Sequence, residues 1–336
     1  MPSGSLKVEG ASIAAGLKER AKWPRSFWQT EFVESKGAIA VFDTTTGNKL
    51  SRRDALKAGL AFAAGVATLG PRRLLGEAQN DCVRWAFLSD THIAKEPERR
   101  SWGFYPYLNL QEIVARMESD LPDGLVITGD LARRNGRIEA YDNLRTLLTP
   151  IAGRRPVYLG VGNHDNRDDF FRAFAGRAAE ERPVEDRHIV AVDAGPVRFL
   201  VLDTLYHVNR KAGLLGRLQS DWLETLLQAS DGKATILCLH HTPKIDLLDT
   251  RRFFDIIGPM TQVKAVVYGH SHKYEFSEYR GIYLINLPAT AFNFSRRQPV
   301  GWVEAQLTPR GGQFTLRAVG GDLKLAGRTE TLRWRS

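Results

Sequence analysis

Short polar motifs rich in histidine and aspartate stand out along the middle of this 336-residue chain. Each of them directly follows an apolar run of the kind that forms a buried strand. Carboxylate, imidazole and amide oxygen form a borderline-to-hard ligand set, which suits Zn, Fe, Mn or Co better than Cu(I). In chain order the motifs are Asp90-Thr91-His92, Gly129-Asp130, Gly162-Asn163-His164-Asp165, His240-His241-Thr242-Pro243 and Gly269-His270-Ser271-His272.

The position of these motifs predicts that they meet in space. Sites in an open α/β sheet form beside the carboxyl ends of its strands, so five motifs at five such ends converge on one crevice. Asp90 with His92, and His270 with His272, are i,i+2 pairs, whose side chains share one face of an extended backbone. The glycine that begins three of the motifs removes a side chain where the backbone must turn close to the ligands.

The candidate ligands are too many for one metal ion. Seven side chains offer a donor atom, whereas a tetrahedral ion takes four. If one carboxylate is shared, the seven form two sets of four, which predicts a two-metal centre. The seven candidates are Asp90, His92, Asp130, Asn163, His240, His270 and His272.

The order of predicted elements indicates an α/β fold. Strands alternate with amphipathic helices at first, which favours a largely parallel core. After His272 the pattern changes to strands with short turns, among them the hairpin turn Arg310-Gly311-Gly312, so antiparallel β structure should extend the same core. We therefore expect one catalytic domain over residues 79–336. The predicted strands are Val83–Leu88, Gly124–Thr128, Pro156–Val161, Ile189–Val192, Val197–Leu202, Thr235–Leu239, Val263–Tyr268, Tyr274–Tyr279, Ile282–Asn286, Trp302–Leu307 and Gln313–Ala318, and the predicted helices are Leu108–Ser119, Ile138–Leu148 and Leu218–Gln228.

The order of the five motifs resembles the calcineurin-like metallophosphoesterase superfamily, and is most like its cyclic-nucleotide and glycerophosphodiester phosphodiesterase branch. The spacing Gly216-x-x-Gln219-x-x-Trp222-Leu223 also resembles that branch, and the likeness runs from Trp85 to Leu307. The resemblance implies a four-layer αββα sandwich of two mixed sheets flanked by helices. It also implies hydrolysis of phosphoesters, above all phosphodiesters, by a hydroxide that bridges two metal ions of Fe, Mn, Zn or Co.

The same resemblance implies roles for individual residues. His164 is implied as a catalytic residue that faces the substrate phosphate or the leaving oxygen. Asp165 is grouped with it as a residue that tunes or orients the site. For His241, packing and substrate contact stay equally open. One metal is implied at Asp90, His92, Asp130 and His272, and the other at Asp130, Asn163, His240 and His270, with Asp130 as the bridge.

Two loops and two further histidines lie near the motifs in sequence. Lys95–Tyr107 and the turn Arg133-Arg134-Asn135-Gly136 each follow a metal motif. We expect their arginines to be exposed loop charges, the alternative being that they hold a phosphate oxygen or a nucleobase. His188 should be structural or at the surface. His207 belongs to a loop after a strand, and we expect it to be solvated.

Composition and charge limit the partners. The chain is 43% hydrophobic and 25% charged, as in globular proteins, and its net charge of +9 suits anionic substrates. No basic stripe is interleaved with aromatic residues, and no apolar run reaches 18 residues, so we expect neither nucleic-acid binding nor stable membrane insertion. A small phosphoester is the expected substrate. The alternatives are a non-catalytic envelope protein that binds a phosphate ligand, and a nuclease or nucleotide pyrophosphohydrolase of the same superfamily.

Residues 51–78 resemble a twin-arginine export signal. Arg52 and Arg53 precede an uncharged run from Ala58 to Leu69, and Gly76-Glu77-Ala78 offers small residues for cleavage. We therefore expect the twin-arginine machinery to export the protein, which would then be periplasmic or secreted. The alternative is that these residues form an amphipathic helix of a cytoplasmic protein. Residues 1–50 are expected to be a leader of unknown role. A reporter fusion that stays cytoplasmic, and is indifferent to Arg52→Lys with Arg53→Lys, would contradict export.

Overall fold

A computed structural model describes residues 81–174 and 183–336. The leader and export signal expected over residues 1–78 lie outside these ranges. Within them, twelve strands form two sheets, with five α-helices and the short 3₁₀ helix Leu323–Leu325. The strands are β1 Val83–Leu88, β2 Gly124–Ile127, β3 Val157–Leu159, β4 Val190–Ala194, β5 Val197–Val201, β6 Ala234–Cys238, β7 Val263–Tyr268, β8 Glu275–Tyr279, β9 Ile282–Asn286, β10 Pro299–Thr308, β11 Gly311–Gly321 and β12 Thr329–Arg333, and the helices are α1 Pro106–Ser119, α2 Ile138–Ala152, α3 Arg167–Ala173, α4 Arg217–Gln228 and α5 Thr250–Ile257.

Both sheets are mixed, with parallel strands at the centre. The first has the order β12-β11-β10-β1-β2-β3, in which β1, β2 and β3 are parallel. The second has the order β4-β5-β6-β7-β9-β8, in which β5, β6, β7 and β9 are parallel. The antiparallel pattern predicted after His272 holds for β10 to β12 but is wrong for β9 beside β7. Because β8 occupies the outer edge and turns back, β9 enters the sheet parallel to β7.

Alternation along β1 explains the layers. Trp85 and Phe87 point between the two sheets, where their ring centroids lie 4.8 and 5.5 Å from that of Phe199 in β5. Ala86 and Leu88 point the other way, into the core shared with α1, α2 and α3. A strand buried on both faces reads as a continuous apolar run, which is the pattern seen before each motif. Helices α4 and α5 pack on each other beside the second sheet, so the αββα sandwich is confirmed.

The sequence pattern misses four short elements: α3, α5, β12 and the 3₁₀ helix Leu323–Leu325. Helix α3 has seven residues and is capped by the preceding Asn166, whose side chain accepts a hydrogen bond from the Asp169 N–H. Elements of this length show too little of their period to be read from hydrophobicity. In the parts of the chain that the structure describes, no helix is long and apolar enough to cross a membrane.

Candidate metal centre

Five of the seven predicted ligands lie beyond strand ends in left-handed backbone. Asp90 (φ 54°) and His92 (φ 42°) follow β1, Asp130 (φ 49°) follows β2, and His270 (φ 70°) and His272 (φ 51°) follow β7. Residues other than glycine rarely adopt this conformation, and those that do concentrate at functional sites. The prediction that each i,i+2 pair shares the face of an extended backbone is therefore wrong. Left-handed backbone turns the chain at both members of each pair and brings them to the same site.

Hydrogen bonds between the loops hold these turns in place. The His92 N–H donates to the Asp130 carbonyl at 2.9 Å. The His270 N–H donates to Asp90 Oδ2 at 2.9 Å, and the His164 N–H donates to Asp130 Oδ1 at 2.8 Å. Each of the two aspartates thus orders the backbone of another motif as well as facing the cavity.

A first cluster consists of Asp90, His92 and His272, with Asp130 beside it. His272 Nε2 lies 3.2 Å from both Asp90 Oδ1 and His92 Nε2. His92 Nε2 lies 3.6 Å from Asp130 Oδ2. The His272 Nδ1 atom lies 2.6 Å from the Phe292 carbonyl, which accepts its proton and leaves the Nε2 lone pair directed at the cluster. These donor atoms are close enough together to hold one metal ion.

A second cluster consists of Asp130, His240 and His270. His240 Nε2 lies 3.3 Å from both Asp130 Oδ1 and His270 Nδ1. Asn163 lines the same cavity as Asp130 and His270. Asp130 therefore turns one oxygen towards each cluster. The structure brings all seven predicted ligands to one site.

Buried acceptors without donors show that the residues fit a cation. Asp90 Oδ1 and Asn163 Oδ1 are both buried, and neither receives a hydrogen bond within residues 81–174 and 183–336. A buried acceptor that lacks a partner costs about 1–3 kcal/mol. One metal ion at each cluster would satisfy these oxygens, and the surrounding imidazoles complete the kind of donor set that Zn, Fe, Mn and Co prefer.

The electrostatics of the cluster favour ionised carboxylates. Burial is the largest single influence on Asp130 and opposes its ionisation, but His240, His92 and His164 together outweigh it and hold the pKa of Asp130 well below the usual value. Burial likewise lowers the pKa of His92 to about 3, which keeps that imidazole neutral. For His240, burial is outweighed by Asp130 and Asp90, which raise its pKa to about 9. Ionised carboxylates and neutral imidazoles are the forms that bind metal, so His240 must release its proton when a metal ion binds.

Close approach of backbone to ligands accounts for two of the motif glycines. A Cβ atom at Gly162 would overlap Asp130 and lie 2.8 Å from His240 Cδ2. A Cβ atom at Gly269 would overlap Ser89 and Asp90. The predicted reason for these glycines, absence of a side chain beside the ligands, agrees with this geometry.

His164 lies on the cavity wall next to both clusters. Its Nδ1 atom lies 2.7 Å from Asn209 Oδ1, which accepts its proton, so the other ring nitrogen is available to the cavity. The Asn209 N–H donates to the Asn163 carbonyl at 2.6 Å, which anchors this loop to the third motif. Sequence reasoning misses Asn209, because a single asparagine in a loop carries no distinctive pattern.

Asp165 does not reach the cavity. Its fully buried carboxylate accepts hydrogen bonds from the N–H groups of Leu131, Ala132 and Gly162 and from the Tyr141 hydroxyl, at 2.8–3.1 Å. These bonds tie the loop after β2 to the third motif. The structure therefore gives Asp165 a positioning role and no contact with a substrate.

The three remaining histidines, His188, His207 and His241, do not line the cavity. His241 is fully buried, its Nδ1 lies 2.8 Å from Thr204 Oγ1, and it packs beneath the cavity, so packing and not substrate contact describes it. His188 bonds through Nε2 to the Leu159 carbonyl at 2.6 Å, which is the structural role expected. His207 is exposed, as expected, although Asn209 of the same loop reaches the site.

A cavity of about 600 Å³ opens over the two clusters. Arg133 and Arg134, expected to be ordinary exposed loop charges, form part of its wall, and so does Arg100 from the loop after β1. Phe292 and Phe294 stack against the rings of His92 and His272, respectively, at 5.0 and 4.3 Å between centroids. Arg100 and Arg134 are exposed, as expected, and Arg133 is half-buried, but loop sequence does not reveal that all three border the cavity.

Ser89 is a supporting residue that sequence reasoning also misses. Its hydroxyl donates to Asp90 Oδ2 at 2.6 Å and accepts from Thr128 Oγ1 at 2.7 Å. We expect Ser89→Ala to weaken metal binding about tenfold, because Asp90 loses one of the two donors that orient its Oδ2 atom. The measurement is a competition titration of metal against a chelator.

Ser220→Ala is the matched control for this substitution. Ser220 is equally buried, and its hydroxyl has no partner among the described residues. The same metal affinity in the two variants would show that the Ser89 hydroxyl does not support the ligand.

Comparison with known proteins identifies the family to which this chain belongs. The family model of calcineurin-like phosphoesterases matches residues 83–274, more than half of the chain. The chain belongs to the calcineurin-like phosphoesterase family. The match starts at β1 and ends just beyond His272, so it includes all five motifs.

Curated relatives of this calcineurin-like phosphoesterase are named as phosphodiesterases. The 3′,5′-cyclic adenosine monophosphate phosphodiesterase CpdA of Pseudomonas aeruginosa is 29% identical over 223 residues, which are 62% of this chain and 76% of that protein. A cAMP/cGMP dual specificity phosphodiesterase of Mycobacterium tuberculosis is 30% identical over 222 residues, which are 61% of this chain and 66% of that protein. With the family match, these relatives identify the chain as a metal-dependent phosphoester hydrolase.

Solved structures agree on the fold. A dimetal phosphatase from Danio rerio aligns with a TM-score of 0.60 at 16% identity, over 75% of this chain and 99% of that one. The purple acid phosphatase PPD1 of yellow lupin seeds aligns with a TM-score of 0.53 at 18% identity, over 75% of this chain and 54% of that one. At these identities the likeness concerns the architecture alone.

Proposed function

We propose that this calcineurin-like phosphoesterase hydrolyses phosphodiesters at a centre of two metal ions. The observation that carries the proposal is the position of Asp130, whose Oδ2 lies 3.6 Å from His92 Nε2 and whose Oδ1 lies 3.3 Å from His240 Nε2. One carboxylate between two clusters is the arrangement in which seven donors serve two ions. In this proposal Asp90, His92, Asp130 and His272 hold the first ion, and Asp130, Asn163, His240 and His270 hold the second.

The protein's own residues contribute orientation and proton transfer. Two bound cations would activate water as a nucleophile near neutral pH and offset the charge on the phosphate oxygens. His164 contacts the cavity, and Asn209 fixes its ring through Nδ1. An imidazole held in this way can donate a proton to the leaving oxygen or a hydrogen bond to the phosphate.

Two observations support a diester as the substrate. The relatives named above are cyclic-nucleotide phosphodiesterases. The cavity of about 600 Å³ is large enough for substituents on both sides of a phosphate. The presence of all seven predicted ligands and His164 around it also favours catalysis over simple binding of a phosphate ligand.

Turnover by metal-loaded protein tests the proposal. The protein is first analysed for bound metal, then assayed with Mn, Zn, Fe or Co on bis(p-nitrophenyl) phosphate, p-nitrophenyl phosphate and 3′,5′-cyclic AMP. We expect about two ions per chain at full activity and faster hydrolysis of the diesters than of the monoester. Full activity with one ion per chain would contradict the two-metal centre, and preference for the monoester would contradict the diester assignment.

A further inference from the structure

Three arginines on the cavity wall have no acidic partner among the residues that the structure describes. Arg100 lies in the loop after β1, and Arg133 and Arg134 lie in the loop between Asp130 and α2. Across the described ranges, no carboxylate oxygen comes within 4.0 Å of any of these guanidinium groups. The fourth cation of the wall, Lys211, is different because it pairs with Asp246 at 3.1 Å. The arginine charge is therefore free to meet an anion in the cavity.

Arg133 is held beside other arginines in spite of their mutual repulsion. Arg133 is half-buried, and its Nε lies 3.4 Å from Ser101 Oγ. Burial lowers the pKa of Arg133, the charges of Arg99 and Arg134 lower it further, and Glu96 opposes them as the weakest of these influences. Crowded like charges are unfavourable, and an anion bound between them would offset that cost.

Arg100, Arg133 and Arg134 form what we call the arginine wall of the cavity. This wall lies next to His164, the residue proposed to act on the leaving oxygen. Beside the main cavity lies a smaller one of about 360 Å³, lined by Arg134, Asn135, His164 and Asn209. Arg134 and His164 line both cavities. The leaving group of a substrate, on the His164 side of the reacting phosphate, would therefore lie close to Arg134.

We propose that the substrate is a phosphoester carrying a second anionic group, such as another phosphate, and that Arg100, Arg133 and Arg134 bind this group. The inference rests on the proposed function and narrows its substrate class. A cyclic nucleotide or simple diester carries one negative charge, which the metal centre itself attracts, and would leave three guanidinium groups without an anion. Guanidinium groups recognise phosphate through paired N–H donors, which suits them to this second group.

The rim of the cavity offers a surface for the organic part of such a substrate. Trp102 and Phe294 are both mostly exposed and lie edge-to-face, 5.3 Å apart between ring centroids. Trp102 belongs to the same loop as Arg100 and is held at a left-handed φ of 52°. Exposed aromatic rings next to free arginines are suited to an apolar or aromatic group that carries an anion.

Ligand affinity tests the inference without requiring turnover. The dissociation constants of thymidine 3′,5′-bisphosphate and thymidine 5′-phosphate are measured by calorimetry on the metal-loaded enzyme at fixed ionic strength. We expect the bisphosphate to bind about tenfold more tightly, and this ratio to fall towards one in Arg133→Gln/Arg134→Gln. Arg251→Gln is the matched control, because the Arg251 side chain is 97% exposed, pairs with Asp255 at 3.7 Å and is not among the residues that line the cavity.

Turnover of a matched pair of esters separates this inference from the proposed function. The pair is thymidine 5′-(p-nitrophenyl phosphate) and the same ester with a 3′-phosphate, which have the same chromophore and scissile bond. If neither is hydrolysed, the proposed function fails, and the affinity ratio still decides the arginine assignment. The inference is overturned if the affinity ratio is near one in the wild type. It is also overturned if the double substitution leaves the ratio unchanged while the metal content stays at the wild-type level.

Discussion

Asp130→Asn is expected to remove tight binding of both metal ions and to lower turnover about 1,000-fold, which corresponds to about 4 kcal/mol of barrier. The substitution preserves the shape of the side chain but removes its charge. In the wild type one oxygen of Asp130 faces His92 and the other faces His240, so a neutral amide weakens both clusters together. Metal content after dialysis against a weak chelator, and turnover of bis(p-nitrophenyl) phosphate, measure the two effects.

Asn163→Ala is the informative comparison for Asp130→Asn. Asn163 belongs to the second proposed ligand set only, so its removal should release one ion and leave the other. Circular dichroism of both variants shows whether the fold persists. If Asp130→Asn retains two tightly bound ions, or loses only the ion that Asn163→Ala loses, Asp130 does not bridge the two sites.

His164→Ala is expected to lower turnover of alkyl phosphodiesters about 100-fold or more while leaving the metal content unchanged. His164 borders the cavity but is not among the seven predicted ligands, and its Nδ1 is already engaged with Asn209. If its other nitrogen gives a proton to the leaving oxygen, the loss depends on the leaving group. An alkoxide needs that proton, whereas p-nitrophenolate is a stable anion, so the p-nitrophenyl ester should lose much less.

Asn209→Ala is a milder variant that tests the same role of His164. It keeps the imidazole but removes the partner that fixes the ring, so its loss of turnover should be smaller and should depend on the leaving group in the same direction. An equal loss by His164→Ala on alkyl and p-nitrophenyl esters would limit His164 to binding the phosphate. Loss of a metal ion in His164→Ala would instead make it a ligand.

The long strands and helices can be predicted from the sequence because the pattern of apolar residues that produces them lies within each element. Strands such as β1 and β7 are buried on both faces, and their apolar runs have the bounds that the pattern predicts. Helix α3 and strand β9 behave differently. The first is too short for a period, and the direction of the second depends on where β8 lies in the sheet.

The sequence by itself determined which chemistry this protein performs, since the ligand types, their order and the glycines beside them are properties of short motifs. The tertiary structure alone decided how these residues meet. His92 and His272 approach to 3.2 Å although 180 positions separate them, and left-handed turns, not an extended strand, direct them inward. Supporting residues such as Ser89 and Asn209, and the arginine wall of the cavity, became visible only there. Their roles depend on contacts between distant loops, and no local pattern of residues encodes such contacts.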